Sequence, residues 1–301
     1  DEAVALRIAP SQRIFDLPAE PMQPLTANFD NKILLRGYHL PTRRVMPGDG
    51  LPVTLYWQSV DWLAEDFVIF TRLLDNQQTA FGGYDRLAKE VYSTLLWAPE
   101  EVITDGFAVS VTADAPPGIY WLSVGWYRDV EGEARSLPLV STETGKPTGT
   151  TAVMLGPIKV GGPPEGVTIE RAEPENEMKV LLGDQIELLG YDLENKADKL
   201  QLTLYWKTVR MPDQDYTVFV HVRDSAGVVV AQKDQPPLNG AYPTSLWDPG
   251  EVIRDDLVIP LGDLPAGEYE VVVGVYNFET GERLSVDGFE NGAVRLETFS
   301  R

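Results

Sequence analysis

The sequence predicts an all-β protein made of two tandem antiparallel β-sandwich domains, Ig-like or jelly-roll-like in type. Three observations predict it: a long internal repeat, alternating strand patterns in both halves, and turn chemistry between them with no convincing long amphipathic helix. Leu55-Tyr56-Trp57 returns as Leu204-Tyr205-Trp206, and Leu96-Trp97-Ala98-Pro99-Glu100-Glu101-Val102-Ile103 as Leu246-Trp247-Asp248-Pro249-Gly250-Glu251-Val252-Ile253. Pro117-Gly118-Ile119-Tyr120 returns as Ala266-Gly267-Glu268-Tyr269, and Val124-Gly125-Trp126-Tyr127 as Val273-Gly274-Val275-Tyr276, at an offset of 149 or 150 residues. A residue kept in both copies points more readily to the fold than to a unique active site.

Along the chain, Val4 to Pro10 and Val167 to Pro174 read as matching first strands. Ser11 to Thr26, rich in proline and polar residues, reads as an insertion that runs extended over the surface of the first copy. Val53, Leu55 and Trp57 alternate with Thr54, Tyr56 and Gln58, as Leu200, Leu202, Leu204 and Trp206 do with Gln201, Thr203, Tyr205 and Lys207. The next strand of the second copy sets Tyr216, Val218, Val220 and Val222 against Thr217, Phe219, His221 and Arg223. Asp224-Ser225-Ala226-Gly227 has the form of a type I turn closed by a left-handed glycine, and Phe278-Glu279-Thr280-Gly281 does the same. A later strand sets Tyr269, Val271, Val273 and Val275 against Glu270, Val272, Gly274 and Tyr276. Arg86 to Tyr92 is expected to form a helical turn or two, and Ser141 to Thr151 a loop-like insertion. Val160-Gly161-Gly162-Pro163-Pro164-Glu165-Gly166 reads as a hinge, so the domains are expected at 1–161 and 163–301.

The 301 residues carry a formal charge of −21 and no cysteine. Such acidity argues against nucleic acid, whose affinity rests on Lys and Arg meeting phosphates, and against anionic membrane surfaces. Cations, neutral solutes and basic proteins remain compatible partners. Lack of cysteine removes disulfides and thiolate chemistry without fixing a compartment. No apolar run approaches the roughly 20 residues of a membrane helix, so no direct membrane insertion is expected. The start at Asp1 has no signal-peptide character and reads as a cut in a longer polypeptide.

Four groups are candidates for chemistry. The first is an aromatic face opposite the aliphatic core: Tyr56, Phe70 and Tyr127 in one copy, Tyr205, Phe219 and Tyr276 in the other. Gly125 and Gly274 sit two residues before the last of these and would leave a shallow gap. Such a face suits stacking on sugar rings, or alternatively burial under the long connection that ends in Trp97 or Trp247. The second is that Trp loop itself, either a ligand platform or an anchor for a crossover. The third is the pair of histidines, His39 and His221, neither with a partner at metal or acid–base spacing. The fourth is the acids Glu101 and Asp105, with Glu251 and Asp255. Their spacing on a strand puts them about 13 Å apart, too far for a glycosidase pair, and they read as solvated surface. No motif for a metal or cofactor stands out.

Several of these runs carry a family resemblance. Asn28-Phe29-Asp30, Ile33 to Tyr38 and Leu-Tyr-Trp, with Phe219-Val220-His221, Tyr242 to Trp247, Gly274-Val275-Tyr276 and Thr280 to Leu284, resemble a repeat of bacterial proteins. That repeat follows the transmembrane helices of large membrane glycosyltransferases similar to dolichyl-phosphate-mannose protein mannosyltransferases, and occurs in surface proteins. The second copy fits it better than the first. The resemblance implies no catalytic residue here, because the family's catalytic acids lie in its membrane portion. It implies an extracytoplasmic, non-catalytic accessory or binding module whose partner is a glycan or another protein. The alternatives are a structural spacer or protein-interaction module and a metal-dependent hydrolase. The residues expected to contact a ligand are Tyr205, Phe219, His221, Trp247 and Tyr276, with Tyr56, Phe70, Trp97 and Tyr127.

Overall fold

The computed structural model describes residues 13–18 and 23–301, and the change from one compact unit to the next falls between Val160 and Gly161. Both units are all-β. The strands of the first are β1 (Gln23–Phe29), β2 (Ile33–His39), β3 (Arg44–Val45), β4 (Gly50–Ser59), β5 (Val68–Leu74) and β6 (Asp85–Arg86). They continue with β7 (Val102–Ser110), β8 (Gly118–Val130), β9 (Glu133–Ser136), β10 (Leu139–Val140) and β11 (Ala152–Val160). One sheet has the order β10-β1-β2-β4-β7 and the other β3-β11-β8-β5-β6, with β9 added beside β8. Apart from the short β3–β11 pair, which is parallel, the described pairings are antiparallel.

The second unit contains β12 (Thr168–Ile169), β13 (Asn176–Leu182), β14 (Ile186–Asn195), β15 (Lys199–Thr208) and β16 (Tyr216–Asp224). It is completed by β17 (Val229–Gln235), β18 (Glu251–Pro260), β19 (Glu268–Asn277) and β20 (Val294–Ser300). Its sheets run β12-β18-β15-β14-β13 and β17-β16-β19-β20. The register repeats between the copies: Leu55 faces Asp105 as Leu204 faces Asp255, and Phe70 faces Gly125 as Phe219 faces Gly274.

Alternation decides the core. Leu200, Leu202, Leu204 and Trp206 of β15 meet Tyr216, Val218, Val220 and Val222 of β16 and Val271, Val273 and Val275 of β19 in one buried cluster drawn from both sheets. The first unit does this with larger rings. Trp57 packs edge-on to Trp126 at 4.9 Å and to Phe29 at 6.0 Å, and Trp126 meets Trp97 at 5.6 Å. The Asp224 turn forms as expected: Asp224 Oδ1 accepts from the N–H of Ala226 and of Val228, and Gly227 takes a φ of +80°.

Three expectations need correction. Gln23 to Thr26 belong to β1, not to an insertion, because Leu25, Ala27 and Phe29 alternate onto the core. The strand expected over Val167 to Pro174 is only Thr168–Ile169, paired with β18 beside Val252 and Glu251. Val4 to Pro10 lies outside the described residues. Arg86 to Tyr92 holds no helix: Lys89 and Glu90 turn at positive φ, and an isolated bridge joins Ala88 to Tyr92. Among the described residues, no helix is long and apolar enough to cross a membrane.

Trp57 and Trp206 are fully buried. Trp57→Ala and Trp206→Ala are each expected to cost the affected unit about 3–5 kcal/mol through cavity formation. Denaturant unfolding checks this, and a loss below about 1 kcal/mol in either would contradict the inward parity of Trp57 on β4 or of Trp206 on β15.

Candidate functional site

The aromatics expected on one face occupy two. Tyr56 and Tyr205 stand on β4 and β15, in one sheet of each unit. Phe70, Tyr127, Phe219, His221 and Tyr276 stand on β5, β8, β16 and β19, in the other. Parity on successive strands puts outward residues of facing sheets on opposite sides of the sandwich, so they do not form a single platform. Tyr56, Phe219, Trp97 and Trp247 are buried, while Tyr205, Tyr276, Phe70, Tyr127 and His221 are half-buried.

The glycine gap is also occupied. A Cβ on Gly274 would lie 2.4 Å from Phe219 Cζ and 2.3 Å from the Gly292 carbonyl oxygen. On Gly125 it would lie 2.4 Å from Phe70 Cζ and 2.5 Å from the Thr151 carbonyl oxygen. Each glycine therefore admits its neighbour's phenyl ring and a passing backbone, not a ligand. Arg283 covers Phe219, its guanidinium 4.2 Å from the ring centroid.

The Trp loops are anchors, and the acids expected at the surface are what hold them. Glu101 and Glu251 are buried. Tyr92 donates its hydroxyl to Glu101 Oε1 at 3.1 Å, and the Ala98 N–H donates to Glu101 Oε2 at 2.9 Å. Tyr242 donates likewise to Glu251 Oε2 at 2.5 Å, and the Asp248 N–H to the same oxygen at 2.9 Å. Arg13 adds an ion pair to Glu101 at 2.7 Å. Trp247 itself donates its indole N–H to the Tyr242 carbonyl at 3.0 Å, which leaves no exposed platform.

Four residues further on, the copies diverge. Asp105 is fully buried and accepts from both terminal guanidinium nitrogens of Arg86, at 3.0 and 2.7 Å, together with the Lys89 N–H at 2.8 Å. Arg86 in turn lies 3.7 Å over the Phe107 ring. Asp255 is equally buried, but its Oδ1 accepts only the Leu238 N–H at 2.9 Å, and its Oδ2 has no hydrogen-bond partner. Burial pushes its pKa up to about 6, opposed by the Leu238 N–H and by the nearby Trp206 indole, which does not reach hydrogen-bonding geometry.

His39 ends β2, its Nδ1 buried without a partner, and His221 stands beside Phe219 with ring centroids 4.8 Å apart. Burial lowers the His221 pKa, against the pull of Asp234 at 4.0 Å. Among the described residues, no group of three or more His, Cys, Asp or Glu is placed to hold a metal ion.

One concavity in the second unit does bring expected and unexpected residues together. It is a groove of about 640 Å³ between the Trp loop, the end of β17 and the turn after β19. Pro236, Pro243, Tyr276 and Phe278 supply flat apolar walls, and Asp215, Asp234 and Glu279 supply carboxylates. Phe278 is 75% exposed at the turn. The turn is stiff: Asn277 Oδ1 accepts from the N–H of Glu279 and of Thr280, at 2.8 and 2.9 Å. Tyr276 donates to Asp234 Oδ2 at 3.2 Å, and burial together with that carboxylate raises its pKa. Of the nine residues expected to contact a ligand, only Tyr276 lines this groove. Phe278 and the acids gave no signal beyond a turn motif in the sequence.

No family model and no curated protein matches the sequence. Among solved structures, the chain is similar to a DUF4785 family protein from Legionella pneumophila, at 9% identity and a TM-score of 0.24. The match covers 88% of this chain and 57% of that one, so the chain spans little more than half of that protein. A likeness this slight carries no argument about either fold or function.

Two outcomes are expected. Gly274→Ala forces Phe219 or the Gly292 backbone to move and should destabilise the second unit by about 1–3 kcal/mol, read by thermal melting. The buried aspartates should respond in opposite senses. Unfolded, the Asp255 carboxyl loses its proton near 3.8; folded, it holds the proton to about pH 6. Stability of the second unit therefore falls by up to about 3 kcal/mol as pH rises from 4 to 6 and stays reduced above that. Asp255→Asn should flatten this slope and stabilise the unit at pH 7.5. Asp105→Asn should instead cost the first unit about 3–5 kcal/mol by stranding Arg86. Melts at pH 4.5 and 7.5 test both, and equal losses in the two variants would refute the assignment.

Proposed function

We propose that the chain is a non-catalytic accessory module of two β-sandwiches, in which the second domain binds a glycan. The observation that carries this reading is the preformed groove at Tyr276 and Phe278. Aromatic and proline faces stand there beside hydrogen-bonding side chains, the combination on which the C–H face and hydroxyl edge of a sugar both find partners. The acids and histidines considered for catalysis support it too. Glu101, Glu251 and Asp105 are engaged in holding the fold, and His221 packs against Phe219. The extracytoplasmic setting, within a larger membrane-associated protein, rests on the repeat resemblance.

A second reading, a spacer or protein-interaction module without a small ligand, is favoured by the burial of Phe219, Trp97 and Trp247. Retention of the full chain on a panel of insoluble polysaccharides separates the two. The glycan reading expects retention by at least one polymer, lost in Phe278→Ser while the melting temperature stays within a degree or so, since the ring is exposed. Absence of retention on every polymer would leave the spacer reading.

A further inference from the structure

From the charges around the groove of the second domain, we infer that it takes a glycan carrying free amino groups; this rests on the glycan reading above. The two copies differ here in a way that points to the ligand's charge. In the first copy, Arg72 pairs with Asp85 at 2.5 Å, and Arg128 pairs with Glu65. Strand register places His221 where Arg72 stands and Asn277 where Arg128 stands. The second copy therefore has neither arginine. Asn277 donates to Gln214 Oε1 at 2.7 Å, a neutral pair in place of an ionic one. Burial lowers the His221 pKa, against the pull of Asp234 at 4.0 Å, so the charged form that would replace Arg72 is disfavoured.

One of the two acids nevertheless remains: Asp234 stands where Asp85 does, while Gln214 replaces Glu65. Asp215, Asp234 and Glu279 line the groove, and no lysine or arginine does. Asp215 also caps the Trp loop, accepting from the Ser245 N–H at 3.1 Å, and Asp234 accepts from the Tyr276 hydroxyl. Arg283 lies in the adjoining cleft, over Phe219. A ligand ammonium group set among these carboxylates gains charge-assisted hydrogen bonds, and gains again by resting against the faces of Tyr276 and Phe278. The rest of the lining selects a sugar over a bare cationic chain. Pro236, Pro243 and Phe278 match flat ring faces, while Thr217 and the Gln214–Asn277 pair offer partners to hydroxyls. The volume, about 640 Å³, lies within the ~300–1,000 Å³ of small-ligand sites.

The test is titration of the full chain with three probes at low salt: a glucosamine oligomer, the matching N-acetylglucosamine oligomer and a lysine oligomer. The glucosamine oligomer should bind about tenfold or more tightly than either of the others, and raising the salt to 0.5 M should weaken it. Asp234→Asn and Phe278→Ala should each weaken it about fivefold or more, with unchanged melting temperatures, while Asp85→Asn in the first copy should have no effect. Equal binding of the two sugars, unaffected by Asp234→Asn, would overturn the amino-group assignment and leave the glycan reading standing. Equal or tighter binding of the lysine oligomer would reduce the groove to a site of general cation attraction and overturn it. Failure to bind either sugar, in a chain that is also retained by no polysaccharide, would remove both readings together.

Discussion

In each unit one long connection leaves the sheet of β5 and β8, or of β16 and β19, and enters the facing sheet through β7 or β18, and a buried glutamate holds that connection down. A carboxylate out of water is costly unless its oxygens are met by donors. Glu101 and Glu251 satisfy this locally: a tyrosine hydroxyl from before the loop, and a backbone N–H from its far end, converge on one side chain. The tryptophan between those two donors is thereby driven into the core, where Trp97 meets Trp126. The inter-sheet core, the shape of the Trp loop and the wall that Pro243 contributes to the groove all follow from that junction.

The copies then differ in how they treat charge. The first neutralises it internally, with Arg86 on Asp105, Arg72 on Asp85 and Arg128 on Glu65. The second keeps the aspartates at the matching positions, Asp255 and Asp234, and lacks those arginines. At Asp255 the result is a buried carboxyl with one unmet oxygen and a raised pKa, a cost carried inside the domain. At Asp234 the carboxylate stands at the edge of a groove, where a partner from outside the chain can meet it. The same kind of substitution thus has a stability consequence in one place and a recognition consequence in the other, and the difference is access to solvent.

Much of this was legible in the residues. The period-two runs of β15, β16 and β19 place their core residues correctly, and the Asp224 turn follows its sequence. The equal spacing of Tyr92, Trp97 and Glu101, and of Tyr242, Trp247 and Glu251, was a signal for an internal tie, because repetition in both copies favours a structural role. The reading of those glutamates as surface went against strand parity: Glu101 is in phase with Ile103 and Val109, and Glu251 with Ile253 and Leu257, all of them core residues. Gly125 and Gly274 misled for a different reason: a missing side chain next to an aromatic looks like space, and the phenyl ring across the strand pair fills it.

By itself the sequence determined the all-β class, the strand parity and the duplication, since each is written in local alternation or in recurrence at a constant offset. Only the tertiary structure decided which outward residues are covered, that Asp255 lacks the arginine its counterpart has, and that Tyr276 and Phe278 share a groove with Asp215 and Asp234. Those outcomes depend on where crossovers and turns come to rest on the sheets. Contacts between segments tens of residues apart set that, and no period in the chain records them.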